Sequence, residues 1–255
     1  MTALLETRHL GKSYGGVQAV RGVDLTVQPG TIHSVIGPNG AGKTSLFNLI
    51  SGAIRPTAGR ILFAGKDITT LPAHRRAAIG LGRTFQNLAL FRAETVLENL
   101  LAGCHAGMRS DPLSALFALP RSRRAEAAAR EQAEALIAWL DLARLRDSKV
   151  GLLPYGMQKR VELGRALAMR PRLLLLDEMV SGMNTEETAA IARLVLRINQ
   201  GLGITVLMIE HDMGIVMDIS DRITVLNFGH PIADAPPAAI AADPAVIAAY
   251  LGTAA

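Results

Sequence analysis

Cysteine is almost absent from this chain of 255 residues: Cys104 stands alone, so no internal disulfide can form. That suits a reducing compartment, where thiols stay reduced. Long apolar runs are missing too. Stretches such as Leu173 to Leu176 and Ile204 to Ile209 fall far short of the ~20 residues a spanning helix needs. The opening residues, Met1 to His9, contain no basic segment leading into an apolar one, so no signal peptide is visible. The expectation is a cytoplasmic protein that does not cross a membrane alone. No block of five or six basic residues occurs either; the densest patch is Arg121-Ser122-Arg123-Arg124. The net charge of +5 is therefore read as suited to an anionic membrane face, with no nucleic-acid partner. Apolar residues are plentiful, at 49% against 19% charged, which excludes a disordered chain. The length allows one large α/β domain or two small ones.

Along the chain, Leu4 to His9, Val23 to Val27, Thr31 to Ile36 and Arg60 to Phe63 read as strands, with Gln28-Pro29-Gly30 as a turn. Thr44 to Ile50 reads as a helix stopped at Ser51-Gly52. Between about Leu88 and Leu152 the β-branched density drops. There Ala129, Ala133, Leu136, Ile137 and Leu140 are spaced as on an amphipathic helix. Lys159 to Met169 reads as a helix ended by Pro171. Beyond it come a strand at Leu173 to Leu176, a helix at Glu186 to Asn199 closed by Gly201, and strands at Ile204 to Ile209 and Ile223 to Leu226. The alanine-rich tail from Pro236 to Leu251 reads as helical, with Pro244 starting a last short helix. Such alternation implies a largely parallel sheet with helices on both faces, whose ligands sit beyond the carboxyl ends of the strands.

Three polar clusters follow strands directly. The first, Gly37-Pro38-Asn39-Gly40-Ala41-Gly42-Lys43-Thr44, matches the phosphate-loop pattern in full, between a strand and a helix. Its glycines let successive N–H groups face phosphate oxygens, and the helix N-terminus adds its positive dipole end. Lys43 is expected to reach the β- and γ-phosphates, the Thr44 hydroxyl to ligate Mg²⁺, and Ser45 to touch phosphate. The second cluster is Asp177-Glu178: Asp177 suits Mg²⁺, and Glu178, pointing to the other side, suits polarising a water. The third is Glu210-His211, where His211 could bond the γ-phosphate and orient that water. Gln86 could touch Mg²⁺ and water, and Tyr14 could stack on adenine. A phosphate loop alone leaves kinases, GTPases, helicases and transporters open.

In this order the elements resemble the ABC transporter ATPase family: aromatic A-loop (Tyr14), Walker A (Gly37 to Thr44), Q-loop (Gln86), Walker B with its glutamate (Leu173 to Glu178) and H-loop (His211). The likeness covers nearly the whole chain. It implies a single nucleotide-binding domain over 1–255: a RecA-like phosphate-loop core (about 1–88 and 158–255) with a mainly parallel sheet, a small N-terminal antiparallel β subdomain, and an inserted helical subdomain (about 89–157). It also implies ATP and Mg²⁺ as ligands. Catalytic roles fall to Glu178, His211 and Gln86; metal contacts to Thr44, Gln86 and Asp177; nucleotide contacts to Tyr14, Gly37, Asn39, Gly40, Ala41, Gly42, Lys43, Thr44 and Ser45. Across a dimer of such domains, Pro154, Tyr155, Gly156 and Met157 would meet the other subunit's ATP. More narrowly, Gly80 to Asn87, Thr95-Val96-Leu97-Glu98-Asn99, the Pro-Tyr-Gly signature, Ile209 to Met213 and Ala249 to Gly252 look like the larger ATPases of branched-chain amino-acid importers. Related subunits serve other amino acids, urea or aromatic acids, and that alternative stays open. The implied partners are a second ATPase (identical or not), two permease subunits and, indirectly, a solute-binding protein, at the cytoplasmic face of the inner membrane.

Several positions depart from the family pattern. Where the signature reads Leu-Ser-Gly-Gly-Gln, this chain has Leu153-Pro154-Tyr155-Gly156-Met157. Pro154 has neither a hydroxyl nor an N–H to offer a phosphate. Met179 replaces the proline after the glutamate, and Asn184 replaces the D-loop aspartate. The expectation is that this subunit's own ATP is hydrolysed, while the site that borrows Pro154 to Met157 is weaker.

Overall fold

Three five-residue segments, Ile32–Ile36, Leu173–Asp177 and Thr205–Ile209, are buried at every position. Apolar runs of this kind are what the centre of a parallel sheet requires, since helices cover both faces. The computed structural model describes residues 2–84, 90–107 and 120–251. It resolves into two compact units, Met1–Arg83 with Arg172–Ala255, and Thr84–Pro171. The division groups the helix after the signature with the inserted unit, where the sequence places the return to the core near residue 158.

In chain order the first unit contains β1 (Leu5–Tyr14), β2 (Val17–Val27), β3 (Ile32–Ile36), α1 (Lys43–Ser51), β4 (Ala58–Phe63), β5 (Lys66–Asp67), α2 (Ala73–Ala78) and β6 (Leu81–Arg83). The inserted unit has α3 (Val96–Gly107), α4 (Pro120–Trp139) and α5 (Tyr155–Ala168). The chain then returns with β7 (Leu173–Asp177), α6 (Thr185–Leu202), β8 (Thr205–Ile209), α7 (Met213–Ile219), β9 (Arg222–Asn227), β10 (His230–Ala235), α8 (Pro237–Ala241) and α9 (Pro244–Leu251).

Two sheets build the first unit. One is antiparallel, in the order β2-β1-β4-β5; the other has six strands in the order β10-β9-β3-β8-β7-β6, parallel except for β10. The α1 side chains Leu46, Phe47, Leu49 and Ile50 join Leu5, Val23 and Leu25 of the antiparallel strands and Leu173, Leu175 and Leu207 of the parallel ones in a single buried cluster. Burying each such side chain is worth about 2 kcal/mol, so this cluster holds the loop before α1 on a firm base. This is a RecA-like core with a small antiparallel subdomain, as the family resemblance implies.

Within the inserted unit, α3 packs on both α4 and α5. Ala129, Ala133, Ile137 and Leu140 turn inward, as their spacing predicts, while Leu136 is only half-buried. Cys104 is buried there, its Sγ donating to the Ala129 carbonyl. No helix among the described residues is long and apolar enough to cross a membrane.

Several boundaries differ from the sequence expectation. The helix after the signature begins at Tyr155, four residues earlier than Lys159, because Pro154 fits as its N-cap. The helix after β7 runs to Leu202 and closes at Gly203 in a left-handed turn, not at Gly201. The tail is helical with its last helix starting at Pro244, as expected, whereas α7 and β10 have no counterpart in the sequence pattern.

Candidate active site

The register of the parallel sheet decides which residues meet. β8 lies between β3 and β7, with Val35 opposite Ile209 and Ile209 opposite Asp177. All three strands therefore end at one edge, and the next residues are Gly37, Glu178 and Glu210. The Glu178 N–H donates to the Ile209 carbonyl at 3.0 Å, lacing two of the exits together.

The phosphate loop follows β3. Gly37 (φ 147) and Gly42 (φ 98) take backbone conformations that side-chain-bearing residues avoid. Space forbids a side chain as well: a Cβ at Gly37 would lie 2.1 Å from the Leu226 carbonyl oxygen, and at Gly42 2.2 Å from that of Ala19. Asn39 and Gly40 are exposed at the crest, Ala41 is buried beneath, Thr44 is exposed and Ser45 half-buried. The turn between β9 and β10 braces the loop: Gly229 N–H donates to the Ala41 carbonyl at 3.0 Å, and the Gly229 carbonyl accepts from Arg21 N–H at 2.8 Å. Burial pushes the phenol pKa of Tyr250 in α9 up, and the nearby Gly37 backbone opposes part of that shift.

Lys43, 9% exposed, curls over its own loop, donating to the carbonyls of Gly37 at 2.6 Å and Pro38 at 3.0 Å. Burial lowers its ammonium pKa, and the charge of Glu178 opposes that shift. Glu178 and Lys43 are thus electrostatic neighbours although they lie far apart along the chain. Two carbonyls holding an ammonium make a placeholder arrangement that phosphate oxygens can outcompete, because charge-assisted bonds are stronger.

Asp177 is 1% exposed, and its Oδ2 accepts from Arg83 Nη2 at 2.9 Å. The same guanidinium donates through Nη1 to Asn48 Oδ1 and Ser51 Oγ of α1, both at 2.8 Å. Arg83 thereby fixes the carboxylate against the helix that carries Thr44. A threonine hydroxyl and a carboxylate on neighbouring elements are a small set of hard oxygen donors, the kind that suits Mg²⁺ with phosphate and water completing its shell. The donor set fits. Among the described residues there is no group of three or more His, Cys, Asp or Glu side chains that could hold a metal by themselves.

Glu178 lies just past β7 in a left-handed conformation, φ 49, so its direction comes from this turn and not from strand alternation. A non-glycine residue there costs of order 1 kcal/mol, and such conformations gather at functional sites. His211 is exposed after β8, and the Asp212 side chain next to it caps α7 by accepting from Ile215 N–H at 3.2 Å. Glu210, 2% exposed, accepts from Val180 N–H through Oε1 at 3.3 Å. Burial pushes its carboxyl up to about 7; the backbone N–H groups of Val180, Met179 and His211 oppose this, and Glu178 adds to it.

Tyr14 ends β1, 48% exposed, with Lys12 Nζ 5.1 Å above its ring centroid. Gln86 lies outside the described residues. Pro154, Tyr155, Gly156 and Met157 belong to the inserted unit. Pro154 and Tyr155 are exposed at the start of α5, Gly156 is buried and Met157 half-buried, and the Pro154 carbonyl accepts from Met157 and Gln158 N–H. A helix N-terminus with free first-turn N–H groups remains there although the serine does not. Asn184 caps α6: its side chain accepts from Glu187 N–H at 2.9 Å, and the Glu187 carboxylate accepts from Asn184 N–H at 3.2 Å.

Sequence reasoning passed over Arg83 and Glu210 as site residues. The available signal was a lone charge at the end of an apolar strand, which must find a partner if buried.

Comparison with known proteins identifies the family. A family model described as ABC transporter matches residues 20–181, and one described as branched-chain amino acid ATP-binding cassette transporter matches 230–255. The chain is 43% identical over 251 residues to the high-affinity branched-chain amino acid transport ATP-binding protein BraF of Pseudomonas aeruginosa, spanning 98% of each. It is 41% identical, with the same coverage, to LivG of Escherichia coli K12, which carries the same description. A crystal structure of the ADP conformation of an ATP-binding cassette of an ABC transporter superposes with a TM-score of 0.86 at 34% identity, covering 99% of this chain and all of that one.

Proposed function

The chain belongs to the ABC transporter family as an ATP-binding subunit, and from that premise we propose that it hydrolyses ATP to energise the import of branched-chain amino acids. The descriptions of BraF and LivG and the match at 230–255 support this cargo. The subunit works beside a second ATP-binding subunit and two permease subunits on the cytoplasmic face of the inner membrane, with a solute-binding protein acting at a distance.

One observation carries the chemical reading: the exits of β3, β7 and β8 lie side by side in the parallel sheet. The phosphate loop binds the triphosphate through its N–H groups and Lys43. Thr44 and Asp177 hold Mg²⁺, with Arg83 keeping the Asp177 carboxylate in place; when bound, the ion neutralises phosphate charge. Glu178 takes up the proton of the attacking water, and His211 bonds the γ-phosphate. The family resemblance assigns Gln86 a contact with Mg²⁺ and water, and Tyr14 stacks on adenine. Two such subunits close over ATP, each Walker A facing the other's signature, and part after hydrolysis, which moves the permeases. Pro154 and Met157 make the site that borrows this signature the weaker one.

The test is substitution of Glu178 by Gln. Steady-state hydrolysis should fall about 100-fold or more, the scale of a lost general base, while nucleotide binding persists. Full turnover in the variant, or none in the parent chain, would defeat the reading.

A further inference from the structure

Glu210 is an expensive residue to keep where it lies. Its side chain is 2% exposed, and Oε2 has no hydrogen-bond partner among the described residues. Its surroundings are apolar: Leu176, Met179, Val195, Met208, Ile215 and Ile219 line a small cavity with it. A buried polar atom left unsatisfied costs stability, and a methionine of similar length would fill the site without that penalty. What the carboxylate does instead is reach across to the neighbouring strand exit. It accepts from Val180 N–H at 3.3 Å, and the Met179 and His211 amides lie close enough to favour its charged form. Those amides are the two that follow Glu178 and the one that leads into the His211 side chain. The Glu178 N–H is already tied to the Ile209 carbonyl, so the left-handed turn at Glu178 is pinned on both sides by residues at the end of β8.

We infer that Glu210 is a positioning residue for ATP hydrolysis, its buried carboxylate holding the turn that carries Glu178 through the Val180 amide. Because Glu210 directly precedes His211 in the chain, that one bond ties the turn of Glu178 to the strand exit that carries His211. The acceptor oxygen matters for this, not the charge. Glutamine keeps the acceptor, whereas methionine keeps the volume and loses it. The inference rests on the ATPase reading above.

The experiment compares the full-length parent chain with Glu210→Gln, Glu210→Met and Glu178→Gln, measuring kcat, KM for ATP and the thermal midpoint. Glu210→Gln should stay within about threefold of the parent in kcat. Glu210→Met should melt no lower than the parent yet lose about tenfold or more in kcat, with KM changed less than about threefold, the pattern of an interaction that matters only in the transition state. A residue that merely supported the fold would give the opposite, with midpoint and activity falling together. Unchanged kcat in Glu210→Met, or an equal loss in Glu210→Gln, overturns the inference; if the methionine variant fails to fold, the glutamine variant decides alone. Absence of turnover in the parent, or its retention in Glu178→Gln, instead takes down the ATPase reading, so the two failures are distinguishable.

Discussion

Arg83 connects pieces that lie 32, 35 and 94 positions away, namely Ser51, Asn48 and Asp177. A buried guanidinium–carboxylate pair is weak evidence for net stability, but deleting one partner strands the other charge at about 3 kcal/mol or more. Arg83→Met should lower the urea midpoint accordingly and raise the Mg²⁺ concentration needed for half-maximal nucleotide binding; an unchanged midpoint would mean Asp177 is held by something else. The contrast with the phosphate loop explains what could be read from sequence. Gly37 to Thr44 wrap one ligand with contiguous residues, so their spacing survives as a pattern. The partners of Arg83 and Glu210 meet only through the strand order β3-β8-β7-β6, which no local window records.

At the scale of elements, helix ends explain where boundaries shifted. Pro154 acts as an N-cap and brings the start of α5 forward to Tyr155. In sequence Asn184 stands out as a missing charge; in the folded chain it forms one half of a capping box with Glu187. Asn184→Ala should cost about 1 kcal/mol by denaturant unfolding, and Asn184→Asp should cost little, since both short side chains cap equally well. Equal losses in the two variants would show that the amide itself is needed. The short α7 escaped sequence reading because five of its seven residues are apolar, all but Gly214 and Asp218, so fewer than two turns offer too little apolar–polar contrast for a helical period. The buried strands β3, β7 and β8 are legible without a period, since each is a short, mainly apolar run that leads directly into a polar cluster.

For the whole molecule, two buried titrating groups set opposing slopes of stability against pH. Burial lowers His33 from 6.5 to about 4, with Asp234 opposing and Arg222 reinforcing the shift. Its contribution is full above 6.5 and is lost as pH falls through about 4. Glu210 is raised from 4.5 to about 7, so the stability it lends is full below 4.5 and is lost as pH rises through about 7. Relative to the parent, Glu210→Gln should therefore gain stability between pH 4.5 and 7. The gain should reach about 3 kcal/mol, since each tenfold change in proton affinity is worth about 1.4 kcal/mol. Urea midpoints taken across that range check it; a difference independent of pH would place the carboxyl's titration elsewhere.

The brace at Gly229 joins the phosphate loop to the other sheet through two successive bonds, from Ala41 to Gly229 and from Gly229 to Arg21. Neither Gly229 nor Arg21 has to touch ATP to register its arrival. When triphosphate stiffens the loop, deuterium uptake at these two amides should slow together, while the far strand pair of the antiparallel sheet, β4 with β5, exchanges as before. Labelling with and without nucleotide would turn that reverse turn into a built-in gauge of occupancy.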